Sequence, residues 1–382
     1  MINVDDKEKC CACGACEQVC PVHAITMSSD GNGNYYPSVY SEICIDCGKC
    51  EKVCTYHNKI EYNYNQKTYA VVLKNKDNLK NSASGGAAYG LARCFLKNFP
   101  GSVVCGCAYD EECNPTHIII GNYEDVYKLQ GSKYCRSDVR IYQKVLANVK
   151  NQKNVLFFGT PCQCNAIKLF CKGHEEYLYT VDLICHGVID IDYWKDYVSL
   201  IQKEYKGKLL FYSFRDKDIH KPFKSKFGIS RINKNNRKVI KYYYESSSVS
   251  YYYSHFLSGS IFRENCYECP FARRERSTDI TIGDYWGYEG KLSSCLGISA
   301  VLTNSDKGNR LFLLSSDLFD IEERSLEDVA KYNEQLNRPF SKEKKKYKLL
   351  SEWKEKGSIA VQKEHHKKHW KAYLLSQFGL MK

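Results

Sequence analysis

Residues Cys10–Pro21 read CCACGACEQVCP, and Cys44–Thr55 read CIDCGKCEKVCT. Cys10, Cys13, Cys16 and Cys20 follow the pattern C-x2-C-x2-C-x3-C-P, and Cys44, Cys47, Cys50 and Cys54 repeat it with Thr55 in place of the final proline. The spacing has a physical reason: three thiolates from one tight loop cap three irons of an iron-sulfur cube, and the fourth has to arrive from elsewhere. Zinc and disulfides are the competing readings, but zinc sites normally use paired C-x2-C units, which a repeated x2, x2, x3 run fits poorly. The two runs predict two 4Fe-4S clusters. Cys11 falls off the pattern.

This segment resembles the two-cluster ferredoxins, in which the fourth cysteine of each run crosses to the other cluster. The resemblance implies one ligand set of Cys10, Cys13, Cys16 and Cys54 and a second of Cys44, Cys47, Cys50 and Cys20. Small residues at Ala12, Gly14, Ala15 and Gly48 let backbone N–H groups turn toward the sulfides and help set the potential. Between the runs the chain alternates and turns at Gly31 to Asn34, the pattern of a short hairpin. With so small a core, the clusters are the module's staples.

The chain has 382 residues, enough for two domains and a small third module. Hydrophobic residues at 43% and charged residues at 26% exclude disorder as the default. No run approaches the roughly 20 apolar residues of a membrane span. The start, MINVDDKEKC, lacks a basic stretch followed by an apolar one, so the 21 cysteines are expected in the reducing cytoplasm rather than in disulfides. The net charge of +12 suits acidic partners, and much of it lies after Ser341 in SKEKKKYK and KEHHKKHWK. These read first as solvated helical faces and second as a docking patch; no nucleic-acid motif accompanies them.

Beyond a polar connector the text alternates strands and helices. TYAVVLKN is a strand, SASGGAAYGLARCFLKN a capped helix, and GSVVCGCAYD and PTHIIIGN two more strands. NVLFFGTPCQCNAIKLFCKG is a strand, a turn at Gly159 to Pro161 and a helix near Cys162; the next strand ends at Cys185, His186 and Gly187. In α/β sheets ligands collect beyond the carboxyl ends of strands, where both cysteines would lie. The expected fold is an α+β N-terminal module of bacterial-ferredoxin type, a mixed α/β catalytic region and a basic helical C-terminal tail. The expected units are 1–60, 67–150, 151–310 and 311–382.

SASGG, QGSKY, FFGTPCQ, LICHG, CYECPFA and DITIGDYWG, in that order behind a two-cluster module, resemble the family of coenzyme F420 hydrogenase/dehydrogenase beta subunits over about residues 1 to 310. The resemblance implies a flavin-linked iron-sulfur oxidoreductase in which FAD exchanges hydride with a two-electron partner and single electrons with clusters. It also implies a third 4Fe-4S cluster, for which Cys162, Cys185, Cys266 and Cys269 supply four thiolates from three segments. Cys162 as a redox, nucleophilic or merely buried thiol is the rival.

For FAD the candidates are Ser84, Gly85 and Gly86 at a helix start, Lys133, and Gly159 with Thr160 at a strand-helix turn. Small residues at a helix start also serve close packing, and a loop lysine is also simply solvated. His186 is a candidate proton relay and Asp284 its orienting partner or a flavin hydrogen-bond acceptor; a structural histidine and a turn-capping aspartate are the alternatives. The other cysteines, such as Cys105 and Cys107 on opposite faces of one strand, have no ligand spacing.

The expected partners are a redox partner protein or ferredoxin and a small-molecule two-electron substrate, with no nucleic acid. Coenzyme F420 is one substrate class. Similarity to relatives encoded beside bacterial polysaccharide genes implies another, a reduction linked to polysaccharide assembly. The alternative is a noncatalytic iron-sulfur subunit, consistent with the absence of a full G-x-G-x-x-G fingerprint.

Overall fold

The computed structural model describes residues 2, 4, 6–31, 33–217, 224–232, 237–342 and 346–377. Between the cysteine runs, β1 (Ile25–Ser29) pairs antiparallel with β2 (Tyr35–Val39), Ser29 opposite Tyr35. The first three cysteines of each run lead into the short helices Ala15–Val19 and Lys49–Lys52. Each is entered through a left-handed glycine, Gly14 at φ 78° and Gly48 at φ 66°, a conformation that strains residues with a Cβ.

The large region is built on a sheet of eight strands: β3 (Lys67–Leu73), β4 (Val103–Tyr109), β5 (Pro115–Ile120), β6 (Val155–Gly159), β7 (Leu178–Leu183), β11 (Ile280–Asp284), β12 (Ser299–Thr303) and β13 (Phe319–Arg324). The spatial order is β13-β3-β12-β11-β7-β6-β4-β5, with β4, β6, β7 and β11 parallel. Both faces are covered, which is why a strand such as β3 is buried at Thr68 through Leu73 without alternation. Val71, Val104, Leu156 and Val301 pack with Leu91, Phe95 and Phe312 of helices Ala87–Asn98 and Asp306–Leu314. On the opposite face Val103, Val155 and Phe157 pack with Tyr142, Val145 and Ile167, and Ala15 and Val53 of the N-terminal module join that cluster. The expected boundaries at 150 and 310 both fall inside this one sheet, because β3 sits between two strands from the far end of the chain.

Between β7 and β11 the chain inserts a meander of β8 (Lys208–Asp216), β9 (Lys224–Ile232) and β10 (Lys238–Glu245), order β10-β9-β8. With helix Ile191–Glu204 it encloses a core of aromatic rings that includes Trp194, Tyr197, Tyr212, Phe214 and Tyr252. Three of the buried polar tips find partners: Tyr252 donates to the Tyr134 carbonyl at 2.7 Å, Trp194 to that of Cys113 at 2.8 Å, and Tyr197 to Glu245 at 2.8 Å.

The basic tail exposes Lys348, Lys354, Lys356, Lys363, Lys367 and Lys368, as a solvated face does, but it also has a buried side. Helix Lys346–Lys368, interrupted at Gly357, packs on helices Ile191–Glu204 and Tyr251–Leu257. Lys346 is fully buried and donates to the Phe262 carbonyl at 2.6 Å and to Glu264 at 2.7 Å, while Trp353 donates to Asp196 at 2.7 Å. Lysine counting hides this, because a long apolar stem buries while its charge finds a carboxylate. No helix among the described residues is long and apolar enough to cross a membrane.

The N-terminal module is held to the sheet by buried charge. Arg263, fully buried, pairs with Asp190 and donates to the carbonyls of Cys10 at 3.2 Å and Tyr35 at 3.0 Å. Arg136 meets the same carboxylate at 2.6 Å and reaches the Ala12 carbonyl at 3.2 Å. Burial opposes the Asp190 charge, but Arg263 and Arg136 more than offset it and hold the carboxyl below its ordinary range.

Replacing Arg263 by Ala leaves the buried Asp190 carboxylate to Arg136 alone and takes the donor from the carbonyls of Cys10 and Tyr35. We expect a loss of about 3–5 kcal/mol, read by urea unfolding, as for one partner removed from a buried pair. A second expectation concerns the tail. Burial, helped by neighbouring His365 and Lys368, holds His255 down to about 3, and burial with His369 and His366 holds His365 down to about 4, against an ordinary 6.5. The unfolded state therefore binds more protons below 6.5, and tail packing that is intact above that pH weakens as pH falls toward 4. Amide exchange in Lys346–Lys368, corrected for intrinsic rates, should be faster at about pH 5 than at about pH 7.

Candidate metal centre

Cys10, Cys13, Cys16 and Cys54 lie together, each within electrostatic reach of others in the group. Cys20, Cys44, Cys47 and Cys50 line a second, small cavity with Val22, Ile25 and Val39, partly open to solvent. The fourth cysteine of each run thus sits with the first three of the other. Backbone N–H groups aim at these sulfurs, Ala24 at Cys20 at 3.2 Å and Ala12 at Cys10. Cys47 is the exposed member of the outer set.

A third group forms at the carboxyl edge of the sheet. Cys162 opens helix Pro161–Phe170 just past β6, Cys185 follows β7, and Cys266 and Cys269 flank the end of the short helix Glu264–Tyr267. Cys185 lies within electrostatic reach of Cys266, Cys162 and Cys269, so the four are near one another. Two buried arginines bring the C-x2-C loop there. The Arg263 N–H donates to the Val188 carbonyl at 3.0 Å; Arg276 pairs with Asp182 of β7 at 2.9 Å and donates to the carbonyls of Leu183 and Phe271 at 2.9 and 2.7 Å.

Burial pushes Cys10 up to about 11, Cys266 to about 11 and Cys269 to about 12, so these groups are neutral thiols until a bound cation draws off their protons. Among the described residues no three His, Cys, Asp or Glu side chains are placed to share a single metal ion. An ion held at about 2.3 Å from each sulfur draws thiolates closer together than a cube does, so the donor sets fit cubes better than zinc.

Cys11, which the spacing left without a role, is buried, and the neighbouring Cys13 of the first set and Cys162 of the third, together with that burial, hold its thiol well above the ordinary range. No sequence signal marks it, since Cys162 is over a hundred residues away.

The residues expected to cradle FAD are engaged otherwise. A Cβ at Gly85 would stand 2.1 Å from the Val71 carbonyl oxygen and 2.4 Å from the Ser299 nitrogen, so this glycine serves close packing. Its N–H is taken by Ser299 Oγ at 2.8 Å, and Ser84 Oγ donates to the Ile298 carbonyl at 2.6 Å. Gly86 is the left-handed N-cap of helix Ala87–Asn98 at φ 80°. Lys133 is neither solvated nor free: its Nζ donates to the carbonyls of Leu129 at 3.2 Å and Gln130 at 2.8 Å, where helix Tyr123–Leu129 ends. Thr160 and Gln163 form a capping box, Thr160 Oγ1 lies 3.2 Å from Cys162 Sγ, and a Cβ at Gly159 would meet Phe157 at 2.8 Å. That turn presents a thiol rather than bare backbone. Ser84, Gly85, Lys133 and Gly159 are thus held by contacts within the protein.

His186 and Asp284 are not partners. His186 sits among the rings of Phe256, Phe262 and Phe340 at 5.7, 5.7 and 4.8 Å. Asp284, at the end of β11, forms an ion pair with Arg215, whose guanidinium lies 5.3 Å from the ring of half-exposed Trp286. Lys217 donates to the carbonyls of Ser84 and, at 2.9 Å, Leu79; burial and Arg215 lower it to about 8. The SASGG, GSKY and GDYWG segments therefore converge on Arg215 and Lys217. Sequence reading missed both, because two cations ending an alternating strand look like an ordinary edge.

Residues 152–329 match the family model for the carboxyl-terminal region of the coenzyme F420 hydrogenase/dehydrogenase beta chain, and residues 9–58 match that of a 4Fe-4S dicluster domain. Among curated proteins, the F subunit of the F(420)H(2) dehydrogenase of Methanosarcina mazei is 25% identical over 240 residues, 58% of this chain and 68% of that protein. Among solved structures, a chain of the xenon-derivatised F420-reducing NiFe hydrogenase complex from Methanosarcina barkeri aligns with TM-score 0.43 and 16% identity, over 72% of this chain and 90% of that one.

If Gly85 serves packing, Gly85→Ala destabilises the fold by about 1–3 kcal/mol or more, the cost of forcing atoms into a filled core. The change should appear in the thermal midpoint of protein whose iron content is unaltered.

Proposed function

We propose, for a chain whose residues 152–329 match the family model of coenzyme F420 hydrogenase/dehydrogenase beta subunits and whose residues 9–58 match that of a 4Fe-4S dicluster domain, that it is an iron-sulfur electron-transfer subunit. It carries single electrons between a redox partner and the carboxyl edge of the large sheet. The observation that supports this reading is the serial placement of three four-thiol groups, the outer one reaching solvent at Cys47 and the inner one at the ends of β6 and β7. Bound at these thiols, 4Fe-4S clusters supply reversible one-electron storage.

The chain's own residues do the rest. Arg136 and Arg263 fix the Cys10–Cys13 loop against the sheet, Arg276 fixes the Cys266–Cys269 loop, and the apolar residues around the outer cavity limit water. A ferredoxin or partner protein meets the Cys47 end, and the working compartment is a reducing cytoplasm.

A second reading, an FAD-dependent enzyme acting on coenzyme F420 or a polysaccharide-linked substrate, is favoured by the corner of Arg215, Lys217, Asp284 and Trp286. There two cations and a half-exposed ring meet at a strand end, as an anionic planar ligand would require.

One anaerobic preparation tests both. Three cubes give about twelve irons and as many labile sulfides per chain, and Cys185→Ala lowers the count to about eight. A wild-type count near eight overturns the inner site, and flavin bands above the iron-sulfur absorbance favour the enzyme over the relay.

A further inference from the structure

Away from the thiol groups, histidines gather where the tail meets helix Tyr251–Leu257. His365 lies near the end of helix Lys346–Lys368, and His369 lies one turn on, at the junction with the last helix, Trp370–Gln377. The His369 N–H donates to the His365 carbonyl at 3.0 Å, so the helical turn continues between them, and their ring centres are 4.5 Å apart. His365 is only 8% exposed, and its buried Nε2 has no hydrogen-bond partner among the described residues. A buried nitrogen left unpaired is costly, and a ligand that takes up its lone pair removes the cost. The other histidines nearby are engaged. His366 Nε2 meets the Val249 carbonyl at 3.1 Å and Gln362 at 2.7 Å, and its ring stacks on Tyr373 at 3.9 Å. His255 Nδ1 meets the Tyr193 hydroxyl at 2.9 Å, and its ring lies 6.5 Å from that of His365.

We propose that His365 and His369 together hold a divalent transition-metal cation of the zinc class, which staples the junction between the last two helices. Imidazole nitrogen suits such cations, and histidines four apart on a helix present their rings on one side, as the pair in H-E-x-x-H does. A cation about 2.0–2.1 Å from one nitrogen of each ring sets the ring centres about 4.5–5.5 Å apart at ordinary coordination angles. The His365–His369 pair falls within that range and His255 lies beyond it. No third His, Cys, Asp or Glu among the described residues is placed to join them, so the remaining positions go to water or to an incoming ligand. Lys367 and Lys368 are exposed and keep their charges in water beside the site. Both imidazoles bind as neutral rings through their lone pairs, and no electron moves. The site lies off the electron path and does not depend on it.

The test uses the full chain, isolated anaerobically and dialysed against Zn²⁺ alone in thiol-free buffer, with zinc and iron counted together. Wild type should hold about one zinc ion per chain more than His369→Ala, and His366→Ala as much zinc as wild type. Bound zinc should also slow amide exchange across Trp370–Gln377 in wild type and leave it unchanged in His369→Ala. His369 is half-buried, so its replacement disturbs packing less than that of buried His365. Zinc-free exchange over Lys346–Lys368 checks that each variant keeps the packed tail, and His369→Gln takes the place of an alanine variant that does not. Equal zinc in wild type and the His369 variant overturns the site, because the metal then sits elsewhere. Zinc that rises only as iron falls overturns it too, since thiols have taken the metal. A His366→Ala protein with a packed tail that loses zinc as His369→Ala does overturns the pairing.

Discussion

The Asp190 carboxylate, shared between Arg263 and Arg136, is the constraint on which the arrangement depends. An ion group this deep stabilises little in itself, because desolvation consumes much of the attraction. Its value is directional. Each guanidinium has further donors, and those donors go to the carbonyls of Cys10, Ala12 and Tyr35 on the module, so satisfying the charge fixes the position of the cysteine loop. Hydrophobic contact through Ala15 and Val53 would tolerate sliding; guanidiniums tied to Asp190 by one nitrogen and to module carbonyls by another do not.

The sheet supplies the other half of the geometry. Parallel β4, β6, β7 and β11 end on one edge, and β3, antiparallel to β12 which is itself antiparallel to β11, ends there too. Cys162, Cys185, Asp284 and the SASGG segment, far apart in the chain, become neighbours through that shared direction alone. Arg276 and Asp182, both buried, then draw the C-x2-C loop across the same edge. The Tyr-rich insertion packs against the rim through Tyr134, whose ring stacks on Phe256 at 4.1 Å.

How much of this could be read beforehand follows from the range of the interaction involved. Ligand spacing in the two N-terminal runs is local, so Cys10 to Cys54 were legible, and so were the hairpin and most strands, whose patterns are short. The coming together of Cys162, Cys185, Cys266 and Cys269 was inferable from strand ends. What was not legible was nonlocal. Gly85 read as ligand access or close packing and meets β3 and the start of β12; Lys133 read as a flavin contact or a solvated loop residue and caps a helix; Lys346 read as solvated and meets Glu264. In each case the deciding atom lies on a segment that no window around the residue contains. Cys11, Arg215 and Lys217 carry no local signature at all.

The position of β3 bears on how the chain is made. Tyr69 pairs with Glu323 and with Val301, so the first strand of the large region has neither neighbour until the ribosome has added well over two hundred residues. Such distant pairing is slow to close. The cysteine-rich module, by contrast, is complete near its sixtieth residue and emerges long before its docking face exists. Metal insertion into it can therefore precede assembly of the sheet, whereas the inner thiols, drawn from β6, β7 and the loop before β11, are all present only after Cys269 has been added.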